Sequence, residues 1–341
     1  MRIGVLTSGG DCPGLNAVIR SVVHRAVVDH GDEVIGFLDG WKGLLEADWR
    51  KLDLDAVSGI LARGGTILGS SRVQPAHLRD GVERARGHVA ELGIDAIIPI
   101  GGEGTLKAAH LLSEAGLPIV GVPKTIDNDI ASTDATFGFD TAVGVATEAL
   151  DRLKTTAESH QRVMVVEVMG RHTGWIALHA GMAAGAHAIV VPERPFDIEE
   201  LTRIVGERFE AGKRFAIVVV AEGAKPRPGT LTMEDRGTDV YGHERFAGIG
   251  NRLAVELEAR LGKEARPVIL GHVQRGGTPT AYDRVLATRF GWHAVEAAHQ
   301  GRFGMLTALR GTEIELVPLA SAVAELKTVP QARYAEAENI L

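Results

Sequence analysis

Short apolar runs alternate with longer helical patterns along most of the chain. The first run, Arg2–Thr7, stops at the glycine-rich segment SGGDCPGLN, after which residues 17–23 open a helical pattern. The same order of strand, glycine loop and helix recurs at 95–100 and again at 162–168. Near-continuous Val and Ile runs separated by helices are typical of buried parallel strands. The pattern therefore predicts an α/β fold, with ligand-binding loops at the carboxyl ends of the strands.

Four further apolar runs predict strands at 117–122, 188–191, 215–221 and 266–270. A chain of 341 residues is long enough for two domains of ordinary size. We therefore expect two similar lobes, each with a mostly parallel sheet flanked by helices. Residues 223–246 break the pattern, since they are rich in charge and in turn formers, and they predict an exposed loop or hairpin.

Composition narrows the class of protein. Hydrophobic residues make up 45% of the chain and charged residues 24%, as in soluble globular proteins. The net charge of −7 argues against a nucleic-acid binder, because phosphate backbones favour basic surfaces. A single cysteine, Cys12, excludes a disulfide within the chain and fits a reducing compartment. The N-terminus does not resemble a secretory signal and no run is long enough to span a bilayer, so we expect a cytoplasmic protein.

Two glycine loops could bind phosphate. GGDCPGLN, residues 9–16, lies between a predicted strand and a predicted helix, where backbone N–H groups and the helix N-terminus attract anions. GGEGT, residues 101–105, repeats this arrangement and adds the carboxylate of Glu103. A carboxylate beside bound phosphates indicates Mg²⁺, which is commonly held by one or two carboxylates and substrate phosphates. The alternatives are a tight turn that needs glycine, and a Glu that complements the helix dipole.

The segment PKTIDND, residues 123–129, has unusual polar density for the end of a buried strand. We expect Pro123 to end the strand and the loop to follow it. Asp127 and Asp129 could share one face of that loop, where one accepts a proton from an attacking hydroxyl and the other assists orientation or a hydrated metal. A cluster of Asx turns explains the same residues without any function.

Basic residues follow two other predicted strands, in MGRHTG (169–174) and RPVILGHVQRGG (266–277). Guanidinium groups bind phosphate in a bidentate manner, so these segments would suit a phosphorylated small molecule. Each such residue on its own is more often part of a surface ion pair. Glu222 ends another strand and could bind a sugar hydroxyl or cap a loop, while Trp41 could stack on a base or belong to the core. The basic residues in question are Arg171, Arg266, His272 and Arg275.

Taken in order, seven segments of the chain resemble the 6-phosphofructokinase family. GGxG[ST] alone is weak evidence, whereas TIDND together with R-x₄-GH-x-QRGG-x₅-DR is highly specific. The match covers about residues 2–310. The motif sequences are most similar to those of actinobacterial members of the family's mixed ATP/pyrophosphate group. The segments are GGDCPGLNA, GGTILGSSR, GGEGT, PKTIDND, ESHQR, VEVMGRHTGW and GHVQRGGTPTAYDR.

The resemblance implies ATP-dependent phosphorylation of fructose 6-phosphate at its 1-hydroxyl, which gives fructose 1,6-bisphosphate and ADP, a committing step of glycolysis. It makes Asp127 the base that accepts the hydroxyl proton. Thr125 and Asp129 would position the phosphoryl group and its metal, while Arg72 and Arg171 would meet the charge that develops on that group. Mg²⁺ would be bound at Glu103, with ATP as co-substrate.

The resemblance also assigns the binding residues and the lobes. Residues 1–138 with about 280–310 would form the nucleotide lobe, 139–279 the sugar-phosphate lobe, and 311–341 a C-terminal extension. The residues expected to bind nucleotide are Gly9, Arg72, Val73, Gly102, Glu103, Gly104 and Thr105. Those expected to bind the sugar phosphate are Thr125, Ile126, Asp127, Arg162, Met169, Gly170, Arg171, Glu222, Arg266, His272 and Arg275. Because Arg162 and Arg266 match positions that reach a neighbouring subunit's 6-phosphate, the family implies a homo-oligomer, with a tetramer favoured.

Two positions point to different phosphoryl donors. Pyrophosphate-using members of the family tend to have an aspartate at the position of Gly104 and a lysine at that of Lys124, whereas ATP-using members tend to have glycine at both. This chain has Gly104 with Lys124. An aspartate at 104 would add bulk and negative charge where the nucleotide's α-phosphate must lie, while Lys124 helps either donor. We therefore predict ATP as the donor.

Other readings stay open at this point. A pyrophosphate-dependent phosphofructokinase is the main alternative, and a kinase for another sugar phosphate such as sedoheptulose 7-phosphate is a second. A catalytically silent binding protein would be expected to lack the carboxylates or arginines of the site, and all of them are present. The family's effector site is only partly matched, by Arg20 and Lys213. Because His24, Phe215 and Leu54 stand where other residues are expected, we predict a weakened or altered effector site.

Overall fold

The structure of the chain is a computed structural model, which describes residues 1–232, 237 and 248–340. The strands of the described part are β1 Arg2–Ser8, β2 Glu33–Phe37, β3 Trp49–Leu52, β4 Ala96–Gly101, β5 Val120–Thr125, β6 Phe137–Gly138, β7 Val163–Val168, β8 Ala188–Val190, β9 Ala216–Ala221, β10 Ala265–Ile269, β11 Met305–Arg310 and β12 Glu313–Pro318. Its α-helices are α1 Leu15–His24, α2 Trp41–Glu46, α3 Gly81–Glu91, α4 Glu103–Glu114, α5 Phe139–His160, α6 Trp175–Ala183, α7 Ile198–Glu210, α8 Ile249–Leu261, α9 Ala281–His299, α10 Leu319–Ala324 and α11 Gln331–Ile340. None of these helices is long and apolar enough to cross a membrane.

The chain folds into two compact units, and the predicted α/β class is confirmed. The first unit comprises Met1–Thr141 and Arg275–Lys327, and the second comprises Ala142–Gln274 and Thr328–Leu341. Each unit has its own sheet of mostly parallel strands. The assignment of donor and acceptor substrates to the two units stays a prediction.

The sheet of the first unit has the strand order β12-β11-β5-β4-β1-β2-β3, with β6 paired to β5. Its central pairs are parallel, while β3 and β12 run antiparallel at the two edges. The chain leaves β1 toward β2 on one side and returns with β4 on the other. This reversal of strand order is the place where open α/β sheets bind ligands, outside the carboxyl ends of the strands.

The register of this sheet aligns the ends of three strands. Gly101 of β4 pairs with Ser8 of β1 on one side and with Pro123 of β5 on the other. The three polar segments that follow therefore leave the sheet at one edge. Their proximity arises from sheet pairing, because the segments are far apart in sequence.

The core of the first unit lies between this sheet and its helices. Leu6, Ile35, Ile97 and Leu106 are fully buried there and form one cluster with Trp41. Trp41 is 0% exposed, so the possible base-stacking role is wrong and this side chain packs in the core.

The sheet of the second unit is parallel throughout, in the order β10-β7-β9-β8. Val163, Val165, Val218 and Val220 are buried in its core. β7 and β9 are buried along their whole length, as the Val and Ile runs predicted. β10, at the edge of the sheet, exposes Arg266, Pro267 and Ile269, so the expectation of a buried strand there is wrong.

Three expectations about boundaries change. The strand predicted at 117–122 is instead β5 and continues through Pro123 to Thr125, because its last residues pair with β6. Residues 313–318 of the expected C-terminal extension form β12, which pairs along its whole length with β11. The predicted loop at 223–246 falls largely on residues 233–236 and 238–247, which lie outside the described residues.

Candidate active site

The glycine loop after β1 has its backbone held in place by a neighbouring loop. Gly9 has a φ of +81°, a conformation that favours glycine. Its N–H donates to Ser71 O at 3.2 Å, and the hydroxyl of Ser70 donates to Gly9 O at 2.5 Å. The segment that contains Arg72 and Val73 is thereby fixed beside the first glycine loop. Gly9, Arg72 and Val73 were all predicted to bind nucleotide, and the structure joins Gly9 to Ser70 and Ser71, which directly precede Arg72.

The second glycine loop opens helix α4. A β-carbon at Gly101 would lie 2.3 Å from the Thr105 side chain, so only glycine fits there. Gly102 is the N-cap residue, and its carbonyl accepts from Leu106 N at 3.0 Å. The loop therefore presents the helix N-terminus at the edge of the sheet, an arrangement suited to an anion.

Gln74 approaches the position that was predicted to select the donor. A β-carbon at Gly104 would meet Gln74 Nε2 at 2.9 Å. Sequence reasoning missed this residue, although it follows Arg72 and Val73 closely in the chain. The space over Gly104 is thus bounded by an amide side chain.

Lys124 is the second donor-related residue, and it is almost completely buried, with 4% of its surface exposed. Its ammonium donates to the carbonyl oxygen of Gly10 in the first glycine loop. Burial lowers the pKa of Lys124, and the Arg275 guanidinium adds to this effect, whereas the carboxylates of Asp11 and Asp127 oppose it. Lys124 therefore joins two of the three loops, which no pattern in the sequence indicated.

The carboxylates after β5 are placed by a tight loop. Asp127 N donates to Thr125 Oγ1 at 3.0 Å, and Asn128 has a φ of +50°. The functionless alternative predicted Asx turns, whereas this turn is made by the hydroxyl of Thr125, and Asn128 Oδ1 accepts from Thr136 N, eight residues later. Asp127 and Asp129 are two residues apart in this loop, and after burial the Asp127 charge is the next largest cause that raises the pKa of the Asp129 carboxyl.

Asp129 shows the electrostatics of the site most clearly. Burial and the neighbouring charges of Asp127 and Glu103 together raise the pKa of this carboxyl to about 6. Its Oδ1 is buried and has no hydrogen-bond partner among the described residues. The unsatisfied oxygen of Asp129 and the negative charges around it favour a cation nearby.

No group of three or more His, Cys, Asp or Glu side chains in the described part of the chain is close enough to hold a metal by itself. Glu103 Oε1 lies 2.5 Å from Lys107 Nζ, one helical turn away. The protein thus offers at most one or two carboxylates to an ion at this place. That number fits Mg²⁺, which keeps waters and takes its remaining ligands from phosphates.

Lys327, about two hundred residues further along the chain, is hydrogen-bonded to the same loop. Lys327 N donates to Asp129 O at 2.8 Å, and its ammonium donates to Asn128 Oδ1 at 3.0 Å. Burial lowers the pKa of Lys327 to about 8, while Asp134 and Asp129 oppose this shift. Sequence reasoning missed Lys327, because nothing near it in sequence points to a site.

Arg275 belongs to the first unit, although it was grouped with the sugar-phosphate residues. Its guanidinium donates to Asp11 O at 3.2 Å, and a β-carbon at Gly10 would lie 2.9 Å from Arg275 Nη1. The arginine therefore lies against the first glycine loop. His272, three residues earlier, is exposed and belongs to the second unit.

The second unit places five of the expected sugar-phosphate residues after the carboxyl ends of its strands: Met169, Gly170, Arg171, Glu222 and His272. Arg162 and Arg266 lie instead at the amino ends of β7 and β10, so the expectation that Arg266 follows a strand is wrong. Glu222 N donates to Val168 O at 2.9 Å, and Gly223 N donates to Gly170 O at 3.1 Å. A β-carbon at Gly223 would lie 1.9 Å from Arg171 O, so the two loops are in backbone contact.

The backbone of Met169 is hydrogen-bonded to the segment that follows β10. Its N–H donates to Gln274 Oε1 at 3.2 Å, and the amide of Gln274 donates to Gly271 O at 3.0 Å. Gln274 is 0% exposed. This pairing gives the buried glutamine of the QRGG motif a local reason: it ties the loop after β10 to the loop after β7.

Arg162 and Arg266 share one carboxylate. Glu264 accepts from Arg162 Nε through one oxygen and from Arg266 Nη2 through the other. The Arg162 hydrogen bond holds the pKa of Glu264 below its usual range, with further lowering by Arg266. Sequence reasoning predicted that both arginines bind a phosphate, and it missed the acid between them.

Other singled-out residues have structural roles or stay untested. Burial raises the pKa of the Cys12 thiol to about 12, in agreement with its interpretation as a small side chain. Asp283 of the DR motif accepts from Thr141 N at 2.8 Å and from Thr141 Oγ1 at 2.5 Å. Arg20 lies in the first unit and Lys213 in the second, and the altered effector site stays a prediction.

Comparisons with known proteins identify the family. The phosphofructokinase family profile matches residues 2–298. The chain is 84% identical over 341 residues to "ATP-dependent 6-phosphofructokinase 3" of Streptomyces coelicolor, with both chains fully covered. It is 60% identical to "Pyrophosphate--fructose 6-phosphate 1-phosphotransferase" of the same organism, covering 98% of each chain. Among solved structures, phosphofructokinase from Pichia pastoris in the T-state has a TM-score of 0.83 and 34% identity, over 95% of this chain and 35% of that one. The chain belongs to the phosphofructokinase family.

Proposed function

We propose that this chain transfers the γ-phosphoryl group of ATP to the 1-hydroxyl of fructose 6-phosphate, giving fructose 1,6-bisphosphate and ADP. The observation that carries the proposal is the junction of three polar loops at one edge of the first sheet. They contribute glycine N–H groups, the N-terminus of α4 and the carboxylates of Asp127 and Asp129. Phosphoryl transfer needs positioning and charge compensation more than covalent chemistry, and these loops supply both.

Asp127 is the proposed base. As the 1-hydroxyl oxygen attacks the γ-phosphorus, Asp127 takes the hydroxyl proton, and the bond from that phosphorus to the bridging oxygen of ADP breaks. Thr125 accepts from Asp127 N at 3.0 Å, which fixes the backbone from which the carboxylate projects. Arg72 and Arg171 are the proposed partners of the charge that develops on the transferred group.

Mg²⁺ is part of the proposal, and the residues present fit it. Glu103 and Asp129 would hold the ion. The buried Asp129 Oδ1 has no hydrogen-bond partner among the described residues, and the charge of Glu103 contributes to the raised pKa of Asp129. When bound, Mg²⁺ supplies neutralisation of phosphate charge. Glu103 would then exchange the Lys107 ammonium for the ion.

ATP is favoured over pyrophosphate as donor by Gly104. Glycine leaves space and no charge beside the α4 N-terminus, where an aspartate would repel a nucleotide phosphate. The relative with 84% identity carries an ATP-dependent name, whereas the relative with 60% identity carries a pyrophosphate-dependent one. Pyrophosphate is the second candidate, because Lys124 is retained and its buried ammonium lies beside the first glycine loop.

The deciding experiment is a steady-state assay of the purified chain with each donor in the presence of Mg²⁺. Fructose 6-phosphate and sedoheptulose 7-phosphate serve as alternative acceptors, and the product is identified by its phosphorylation state. We expect kcat/KM to be greatest for ATP with fructose 6-phosphate. Efficient turnover with pyrophosphate and none with ATP would overturn the donor assignment, and a higher kcat/KM for sedoheptulose 7-phosphate would overturn the acceptor.

A further inference from the structure

We propose that Lys327 is a positioning residue for the phosphoryl-transfer loop, acting through Asn128 and not by touching substrate. The inference rests on the proposed function. It adds a residue outside every motif of the chain, about two hundred positions from the loop on which it acts.

The backbone around Lys327 runs beside the loop. Leu326 forms an antiparallel bridge with Ile130, and Lys327 N donates to Asp129 O at 2.8 Å. The carbonyl of one proposed functional residue is therefore held by the C-terminal segment. These contacts fix the path of the loop just after its two acidic side chains.

The Lys327 side chain donates hydrogen bonds to three oxygens of the same loop. Its ammonium donates to Asn128 Oδ1 at 3.0 Å, Thr133 O at 2.8 Å and Asp134 O at 3.0 Å. An ammonium has three N–H donors, so the geometry matches its capacity. A charged donor makes stronger hydrogen bonds than a neutral one, which suits a group that must hold backbone carbonyls in place.

Asn128 connects Lys327 to the proposed base through further hydrogen bonds. Besides Lys327, Asn128 Oδ1 accepts from Thr136 N at 3.1 Å. Thr136 Oγ1 donates to Thr125 O at 2.8 Å, and Thr125 Oγ1 accepts from Asp127 N at 3.0 Å. The hydrogen bonds thus form a continuous path from Lys327 to Asp127. Since misplacement of a reacting group by about 1 Å can lower a rate about 100-fold, loosening this path should slow the chemical step.

The test compares Lys327→Met and Lys327→Arg with the wild-type chain, using ATP and fructose 6-phosphate well below the unfolding temperature. Lys51→Met, at an exposed position of β3, controls for the loss of one positive charge. We expect Lys327→Met to lower kcat about 10- to 100-fold, with both KM values within about threefold. Lys327→Arg should recover part of the loss, because it retains charged donors, and Lys51→Met should match the wild type.

A double-mutant cycle with Asn128→Gly separates positioning from a purely structural role. Glycine removes the shared amide but accepts the φ of +50°. The two losses in kcat should be strongly non-additive, since both substitutions cut one path. A wild-type kcat for Lys327→Met, a change confined to KM, or additive losses would each overturn the inference.

If Lys327→Met does not fold, Asn128→Gly alone decides, because it removes the same link. A wild-type kcat in that variant would then overturn the inference, and a fall of about tenfold or more would support it. Failure of the proposed function is distinguishable, because in that case the wild-type chain itself lacks turnover with ATP and fructose 6-phosphate.

Discussion

Gln74 Nε2 lies 2.9 Å from the point at which residue 104 would carry a β-carbon. A methyl group there would displace only the end of a flexible side chain. We therefore expect Gly104→Ala to lower kcat/KM for ATP by no more than a few-fold. Gly104→Asp adds a negative charge that no movement of Gln74 removes, and it should lower kcat/KM for ATP about 100-fold or more, as loss of an oriented electrostatic contact does.

The control for this pair is Gly87→Asp, which places the same new carboxylate on α3, where a β-carbon has open space. Assays with ATP and with pyrophosphate would be run on all three variants. Equal losses for Gly104→Ala and Gly104→Asp would show that bulk, not charge, closes the site to nucleotide.

Lys124 should behave differently from Gly104. Its ammonium is buried and donates to Gly10 O, so its removal detaches the first glycine loop from β5 whichever donor is bound. We expect Lys124→Met to lower kcat/KM about tenfold for ATP and for any pyrophosphate activity alike, in the range typical of losing a charged buried hydrogen bond. The ratio of the two donors is the measurement. If Lys124→Met shifts that ratio toward ATP, this residue selects the donor after all.

Asp127→Asn tests the proposed base directly. The amide keeps the shape of the side chain but cannot take a proton, so kcat should fall about 100- to 10,000-fold while KM for fructose 6-phosphate changes little. Asp53→Asn, an exposed position whose Oδ1 accepts from Ala56 N, is the matched control. Near-wild-type turnover of Asp127→Asn would require a different base.

The sequence predicted the strands and loops of the site because they are local. A buried strand, a glycine loop and a helix follow one another within about twenty residues, and the sheet register then unites three such segments at Ser8, Gly101 and Pro123. Family motifs supplied the residue roles, such as that of Asp127. Contacts between distant segments left no such pattern.

Lys327 and Glu264 illustrate what could not be predicted. Lys327 bonds to a loop 199 residues away, and Glu264 joins its near neighbour Arg266 to Arg162, which is 102 residues away. An isolated Lys or Glu on the chain carries no periodic signal. The burial of Lys124 could not be predicted either, because charged residues are rarely buried. A lysine after an apolar run usually indicates the end of a strand. Trp41 shows the reverse case, since an aromatic residue beside a glycine segment is fully buried in the core.

The raised pKa of Asp283 leads us to expect that the stability of the fold depends on pH. Burial raises the pKa of this carboxyl to about 6 in the fold, above its usual 3.8, against the hydrogen bonds from Thr141 that favour the ionised form. Between those values the folded chain keeps a proton that the unfolded chain has released. The contribution of Asp283 to stability therefore falls as pH rises from about 4 to about 6, by at most about 3 kcal/mol.

Asp283→Asn removes this titration and retains an oxygen that can accept from Thr141. The urea midpoint of the variant, relative to that of the wild type, should rise between about pH 4 and about pH 7. Asp53→Asn at the exposed site should show no such trend. A constant difference between Asp283→Asn and wild type across this range would mean that Asp283 does not titrate there.

The carboxylate shared by Arg162 and Arg266 gives the last prediction. Glu264 either prepares the two guanidinium groups for a phosphate or competes with the phosphate for them. Each arginine uses only part of its donor fork on Glu264 and both side chains are partly exposed, so the ordering effect should prevail over competition. We expect Glu264→Ala to raise KM for fructose 6-phosphate about three- to tenfold with kcat unchanged, as for a loss of preorganised binding. Glu91→Ala, at the exposed end of α3, is the control. A fall in KM would show instead that Glu264 competes with the substrate phosphate.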